Sequence, residues 1–311
     1  MVFEKHTVDT IYTVGPVNFY IFEVNGRRVM FDLGPNSPNV YEYYQKNIDL
    51  KSIDAIFITH CHVDHYGIIN YVKQKSKAKI FFPKYDYIRN KNFEKVIEGT
   101  CKILVDEGFS KDTLFKIEGL IKYFESELPH IEDGYIVEDN IEEIRSMGIE
   151  VIYAPWHSQS DLIYILNNYA VSGDVFLEEI VSTPLLSVDL NNFEKRFSNF
   201  DAFIETIIRI KNIEDKIFLP GHKDEIKNIG DVIFFQINKF IERAKKIGDQ
   251  LKNKNIFNLV FDNIESIVND PYALYIKASE MFFLRDYEFN KENLHEALSK
   301  TFPNLLKKIK N

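Results

Sequence analysis

The sequence predicts an α/β fold with two added helical regions, and three patterns along the chain support this. Short apolar runs alternate with turns and helical segments over residues 1–84, and strand-like runs return over 150–219. Between them, from about 85 to 145, apolar residues recur at intervals of three and four, as on one face of a helix. The same spacing continues to the end of the chain. We therefore predict an α/β domain over 1–230, with a helical insertion at about 85–145, and a helical C-terminal region over 231–311.

Nine short runs have the β-branched and aromatic content of strands, and Asn25-Gly26 predicts a tight hairpin between the second and third. The predicted strands cover residues 7–14, 19–24, 28–33, 53–58, 78–82, 150–154, 162–166, 169–172 and 216–219. Helical spacing predicts helices over 39–47, 67–74 and 193–211. Pro271 suits the first turn of a further helix, with Asp270 before it as the cap.

The strand predicted at 53–58 leads directly into a loop with four candidate metal ligands. These are His60, His62, Asp64 and His65, so three of the eight histidines fall in one short loop. Ligands collect where strands end at the carboxyl edge of an α/β sheet. Imidazoles and a carboxylate suit zinc, manganese or iron, whereas a structural zinc site is usually rich in thiolates. Cys61 lies between His60 and His62, and we expect it to pack in the core.

Three more candidate ligands follow later predicted strands: His157, Asp174 and His222. Each comes after an apolar run and has glycine or proline nearby, and these residues allow the backbone to turn tightly. The other histidines, among them His6, His130 and His295, are isolated and are expected to have surface or structural roles. The pattern therefore predicts a metal site built from four separate loops.

In order, spacing and flanking residues, the chain over about 7–225 resembles the metallo-β-lactamase superfamily. The resemblance rests on Asp32, the Thr-His-x-His-x-Asp-His loop at 59–65, the later histidine, Gly-Asp at 173–174 and Pro-Gly-His at 220–222. It implies an αββα sandwich with a two-metal site along one edge. It also implies a first metal on His60, His62 and His157, a second on Asp64, His65 and His222, Asp174 bridging both, and Asp32 as a buttress.

The resemblance implies a metal-dependent hydrolase, similar to glyoxalase II and lactonase relatives. Two divalent ions about 3.5–4 Å apart can share a hydroxide that attacks an ester, thioester or lactone bond. Zinc is the expected metal, with iron or manganese as alternatives, and Asp64 is expected to orient the hydroxide as the catalytic residue. Family members with di-iron redox chemistry tend to carry glutamate where this chain has His62, so His62 favours hydrolysis.

Other functions remain open from the sequence. Persulfide dioxygenases with one iron share this loop, and nucleases or phosphodiesterases form a third class. A binding or sensing module without catalysis is disfavoured because no ligand is missing. Many relatives have glycine where this chain has Trp156, so we expect Trp156 to form part of a bulkier pocket wall.

The composition limits the partners and location that we expect. The 311 residues carry a formal net charge of −9, which disfavours broad nucleic-acid binding. Two cysteines favour a reducing compartment, and we find neither a signal peptide nor an apolar stretch that could span a membrane. We expect a cytoplasmic protein with a small-molecule substrate and no membrane contact, and a homodimer is possible.

Overall fold

A computed structural model describes residues 2–12, 14–126, 129–131, 134–263 and 270–310. The strands are β1 Phe3–Val8, β2 Val17–Val24, β3 Arg27–Phe31, β4 Ala55–Phe57, β5 Lys79–Phe82, β6 Tyr135–Ile136, β7 Glu150–Tyr153, β8 Leu162–Leu166, β9 Tyr169–Gly173 and β10 Ile217–Pro220. The helices are α1 Pro38–Asn47, α2 Val63–Tyr66, α3 Ile69–Lys75, α4 Lys84–Lys91, α5 Phe93–Asp106, α6 Lys111–Ser126, α7 Ile141–Ser146, α8 Asn199–Ile210, α9 Ile229–Ile247, α10 Gln250–Asn253, α11 Ile256–Asn263, α12 Pro271–Thr301 and α13 Pro303–Lys310. Short 3₁₀ helices lie at Leu50–Ser52 and Lys211–Ile213.

The strands form two sheets. The first has six strands in sequence order, with β1, β2 and β3 antiparallel and β3 to β6 parallel. The second has the order β10-β9-β8-β7, with β9 and β10 parallel and the other pairs antiparallel. The tight turn between β2 and β3 is confirmed, since Asn25 and Gly26 both have positive φ, 50° and 74°.

The two sheets pack face to face through aromatic side chains. Successive residues of a strand point to opposite faces, so Tyr20 and Phe22 of β2 enter the core between the sheets, while Phe19 and Ile21 enter the core on the outer side. Tyr164 of the second sheet contacts aromatic rings of the first, and its hydroxyl donates to Ile58 O at 2.8 Å. The buried faces therefore hold the sheets in one fixed alignment.

Helices cover both outer faces. Val40 and Tyr44 of α1 and Val72 of α3 pack on the first sheet. Apolar residues of α8, α9 and α12 pack on the second sheet. The result is the four-layer αββα arrangement, and the predicted fold class is confirmed.

The helices on the second sheet come from distant parts of the chain. Phe203 of α8, Phe240 of α9 and Phe283 of α12 meet the indole of Trp156. Leu114 and Ile117 of α6, within the predicted insertion, belong to the same apolar core. Residues on both sides of position 230 thus share one core, and the division into two regions there stays a prediction. Within the described ranges, no helix has the length and apolar character needed to cross a bilayer.

Several predicted elements differ from the structure. The first strand, predicted at 7–14, runs over Phe3–Val8, because pairing with β2 fixes its register at Phe3↔Phe22 and Val8↔Val17. Thr13 lies outside the described residues. The helix predicted from residue 193 begins at Asn199, after Ser198 as its cap. β6, which the sequence pattern does not reveal, lies within the region predicted as a helical insertion. The cap at Asp270 is confirmed, since its side chain accepts from Tyr272 N and Ala273 N.

Candidate metal centre

The seven predicted ligands meet at one edge of the sandwich. The segment after β4 carries His60 and His62 in its loop and Asp64 and His65 in the short helix α2 that ends it, and the loop at 154–161 follows β7. Asp174 directly follows β9, and His222 lies two residues after β10. All seven side chains are buried or nearly so, and His65 and His222 have no exposed surface. The fold therefore gathers ligands from four separate loops into one small volume.

Three histidines form one group, which we call the first triad: His60, His62 and His157. One ligand atom from each lies within 4.8 Å of the others. The His62 Nδ1 atom lies 2.9 Å from His60 Nε2 and 3.1 Å from His157 Nε2. Three ring nitrogens thus converge on one point, as they do around a tetrahedral metal ion.

A second group, which we call the second triad, contains Asp64, His65 and His222. His222 Nε2 lies 3.3 Å from one Asp64 oxygen, and His65 Nε2 lies 4.0 Å from the other. Asp174 lies between the triads. Its Oδ1 is 3.4 Å from His65 Nε2, and its Oδ2 is 3.5 Å from His222 Nε2 and 4.0 Å from His157 Nε2. A carboxylate in this position can serve ions at both triads.

The unpaired atoms of the cluster show that a cation fits. His65 Nε2, His222 Nε2 and Asp174 Oδ1 are buried polar atoms that have no hydrogen-bond partner among the described residues. Such atoms are rare in folded proteins, because each loses its bond to water on burial. Two imidazole nitrogens and a carboxylate oxygen facing one another suit a divalent cation of the zinc, iron or manganese type.

The opposite ring atoms of the histidines are held by acceptors. His222 Nδ1 lies 2.7 Å from Pro16 O, His157 Nδ1 lies 2.8 Å from Thr183 O, and His65 Nδ1 lies 2.9 Å from Asp32 Oδ2. Because carbonyl and carboxylate oxygens only accept, these contacts place a proton on Nδ1 and direct Nε2 into the site. The ring orientations are therefore set before any metal binds.

Asp32 joins the two triads through Thr59. The Thr59 amide and hydroxyl both donate to Asp32, each at 2.8 Å. Because the Thr59 hydroxyl donates to Asp32, its oxygen can accept from His60 Nδ1, which lies 3.1 Å away. Asp32 itself has a φ of 58°, which turns the chain sharply at the end of β3. This position matches the buttress that the resemblance implied.

The two triads differ in their protonation. Burial, together with neighbouring imidazoles, holds the pKa values of His60 and His62 well below the usual histidine value. Burial also opposes charge on His65 and His222, but Asp174 and Asp64 raise both of their pKa values, that of His65 strongly. His60 and His62 are therefore neutral and ready to bind a metal, whereas a metal at His65 and His222 displaces protons.

Two glycines leave room for the ligands. A Cβ at Gly221 would overlap His65 Cε1 and lie 2.5 Å from Asp174 Oδ1. At Gly173, where φ is 50°, a Cβ would lie 2.5 Å from Thr59 Oγ1. Each glycine directly precedes a ligand in sequence, so the same short segment supplies both the ligand and the space that the neighbouring ligands need.

Sequence reasoning missed two buried acids beside the ligands. Asp161 accepts from Ser158 N at 2.7 Å and from Ser158 Oγ at 2.9 Å, and so shapes the turn that carries His157. Asp86, in the first turn of α4, accepts from Cys61 N at 2.7 Å. Ser158 and Asp161, three residues apart, were a detectable turn signal, but nothing in the sequence around Asp86 pointed to the site.

The structure corrects the expectation for Trp156. The indole has no exposed surface and packs among phenylalanines of the core, and its Nε1 donates to Val175 O at 2.8 Å. It is therefore a core residue rather than a pocket wall. The preceding residue, Pro155, begins the turn that carries the backbone from the core to His157. Cys61 is buried in the core under the first sheet, as expected.

Comparison with known proteins decides the family. The sequence profile described as the metallo-beta-lactamase superfamily matches residues 12–222, more than half of the chain. The chain belongs to the metallo-β-lactamase superfamily. The matched range begins before β2 and ends at His222, so it contains every residue of the two triads and Asp174.

Relatives of this metallo-β-lactamase superfamily member are distant. It is 23% identical over 265 residues to the probable metallo-hydrolase YqjP of Bacillus subtilis, covering 79% of both chains. It is also 23% identical to the probable metallo-hydrolase MJ0888 of Methanocaldococcus jannaschii, covering 71% of this chain and 93% of that one. A crystal structure of a metallo-beta-lactamase family protein from Thermus thermophilus matches with a TM-score of 0.69 at 16% identity, over 92% of this chain and 94% of that chain. At this identity the structural match supports the shared fold.

Proposed function

We propose that the protein is a hydrolase that uses two divalent metal ions to cleave an ester, thioester or lactone bond of a small molecule. Zinc is the metal that we expect. The observation that carries the proposal is the convergence of seven buried or nearly buried ligands at one site. Among the described residues, the inward nitrogens of His65 and His222 have no hydrogen-bond partner. A net charge of −9 supports a small-molecule substrate over a nucleic acid.

Each side chain has a role in this proposal. The first triad would hold one ion, the second triad would hold the other, and Asp174 would serve both. When bound, such ions supply an activated water and polarise the bond to be cleaved. Asp64 orients the attacking water through a carboxylate oxygen. Although burial opposes ionisation of Asp64, His65 and a hydrogen bond from His222 hold its pKa below the usual value, so the oxygen is a strong acceptor at neutral pH.

Two observations favour hydrolysis over redox chemistry. The first triad contains only imidazole ligands, with His62 where redox members of the superfamily tend to carry glutamate. Two curated relatives are named probable metallo-hydrolases. Both observations support hydrolysis as the class of reaction. Neither concerns the type of bond that is cleaved, which the following experiment tests.

The test is a substrate panel with matched variants. Zinc-loaded protein is assayed on thioesters, lactones, carboxylic esters and phosphodiesters. We expect hydrolysis of at least one of the first three, reduced by at least about a hundredfold in His60→Ala and Asp174→Ala because each removes a metal ligand. His295→Ala is the control, since this residue lies on α12, forms an ion pair with Glu292 at 3.7 Å and is not one of the seven ligands, and it should retain full activity.

Other outcomes would replace the proposal. Oxygen consumption by iron-loaded protein with a persulfide, without hydrolysis of any ester-type substrate, would favour a dioxygenase. Activity confined to phosphodiesters would contradict the proposed bond type. Full metal content and full activity in both ligand variants would overturn the site assignment itself.

A further inference from the structure

Asp86 is a buried carboxylate that is not one of the seven ligands. It lies in the first turn of α4 and is 3% exposed. Burying a carboxylate is costly unless donors satisfy it, so the partners of Asp86 show what its burial achieves. Its nearest cation is Arg89, with Nη1 3.7 Å from Oδ1.

The hydrogen-bond donors of Asp86 come from both loops of the first triad. Cys61, whose amide donates to Asp86 Oδ2 at 2.7 Å, lies between His60 and His62 in sequence. The side chain of Ser160, three residues after His157, interacts with the same carboxyl group and lowers its pKa, against the larger opposing effect of burial. One carboxylate therefore connects the two loops that supply all three ligands of the first triad.

The connection continues inside the second loop. Ser160 N donates to Ser158 Oγ at 3.1 Å, and Ser158 Oγ donates in turn to Asp161 Oδ1 at 2.9 Å. Asp161 also accepts from Ser158 N. Ser160, which interacts with Asp86, is thus hydrogen-bonded into the turn that carries His157.

The histidines of the second triad are held directly by groups other than Asp86. His65 is held by Asp32, and His222 by Pro16 O. Neither Asp32 nor Pro16 is among the hydrogen-bond partners of Asp86 in the described part of the chain. Loss of Asp86 should therefore disturb one triad and spare the other.

We propose that Asp86 is a positioning residue that fixes the spacing of the two loops bearing His60, His62 and His157, and thereby sets the metal affinity of the first triad independently of the second. This inference rests on the proposed function, because it requires that the first triad binds a metal. Residues behind metal ligands typically change metal affinity by about 10–100-fold when they are removed.

The test measures metal binding rather than turnover. Metal-free protein is titrated with Co²⁺ while visible absorption is recorded, and with Zn²⁺ in competition with a chromophoric chelator. His157→Ala and His222→Ala assign the two binding events to the first and second triads. Asp86→Ala should weaken the first event by about 10–100-fold and alter its Co²⁺ spectrum, with the second event unchanged.

Two further variants make the result specific. Asp86→Asn keeps an oxygen for Cys61 N–H and should restore first-triad affinity to within about threefold of wild type. Ser160→Ala removes only the link to the His157 loop and should weaken the first event by several fold. Asp286→Ala is the control. Asp286 lies on α12, is largely buried and pairs with Arg196 at 2.6 Å, so its loss should lower stability without altering either binding event.

The outcomes separate this inference from the proposed function. Two binding events in wild type, both unchanged in folded Asp86→Ala, would overturn the inference and leave the proposed function intact. If Asp86→Ala does not fold, unchanged binding in Ser160→Ala overturns it in the same way. If wild type and His157→Ala bind metal identically, both the inference and the proposed function are overturned.

Discussion

At the residue scale, the chemistry of the site depends on pairing each ligand with an acceptor behind it. Asp32 is the clearest case, since it contacts Thr59 twice and His65 once. The ligand residues themselves could be found from sequence, because histidine and aspartate next to glycine or proline at strand ends form a recognisable pattern. Among the supports, the resemblance implied Asp32, whereas Pro16 and Thr183 could not be found, since they act through backbone carbonyls that any residue provides.

Gly221 gives a direct residue-scale prediction. In Gly221→Ala the added methyl would overlap His65 and crowd Asp174, so we expect metal affinity at the second triad to fall at least about tenfold, comparable with loss of a supporting residue. Isothermal titration with Zn²⁺ measures this. Gly119→Ala is the matched control, because a methyl there meets no atom within 4 Å. Equal affinities in the two variants would show that the space at Gly221 is not required.

Protonation of the second triad predicts a pH dependence. The pKa values of His65 and His222 are raised, so protons compete with metal at this triad. As pH is lowered, the metal affinity of the second triad should begin to fall at a pH above the usual histidine pKa and should continue to fall through it. The pKa values of His60 and His62 are lowered, so these two ligands bind no competing proton over the same range, and affinity at the first triad should depend less on pH. Zn²⁺ titrations in buffers of different ionisation enthalpy count the protons released. Equal proton release at both triads would contradict this difference.

At the element scale, strand ends and the loops after them place the ligands, while helices lock those loops to the core. Asn199 and Thr206 of α8 donate to Trp156 O and Pro155 O, at 2.7 and 2.8 Å. The strand ends were predictable from short apolar runs followed by turn residues. The start of α8 and the existence of β6 were not, because β6 has only two residues and depends on its pairing with β5.

The aromatic cluster around Trp156 predicts how strongly α12 is attached. Phe283 is 1% exposed, and its ring lies 4.5 Å from that of Phe240. Phe283→Ala should lower the free energy of unfolding by about 3–5 kcal/mol, because it leaves a cavity in a packed core. Denaturant unfolding measures the change. Phe289, on the same helix, is 61% exposed, so Phe289→Ala should change the free energy of unfolding by less than about 0.5 kcal/mol. A similar small change in both variants would mean that α12 is only loosely packed.

At the scale of the whole molecule, one apolar core extends from the second sheet through α8 and into the C-terminal helices. The αββα layering was predictable because the resemblance fixed it. The sharing of this core was not, since helical periodicity shows that a helix buries one face but does not show which surface covers it. The sequence pattern alone therefore left open whether residues 231–311 form a separate unit.

Truncation tests this shared core. A fragment ending at residue 230 would expose the apolar surface that α9 and α12 cover, so we expect no cooperative thermal unfolding by calorimetry and metal binding far below that of the full chain. The full-length chain carrying Phe289→Ala serves as the folded reference. A fragment with a cooperative transition and normal metal content would show that the first 230 residues fold independently.

The central claim is that seven side chains hold two divalent ions at one edge of the sandwich. Anomalous diffraction at the zinc absorption edge, from crystals of zinc-loaded protein, tests it most directly. We expect two peaks about 3.5–4 Å apart, one at the first triad and one at the second, with Asp174 between them. Absence of peaks at both triads, or zinc bound only elsewhere on the molecule, would contradict it.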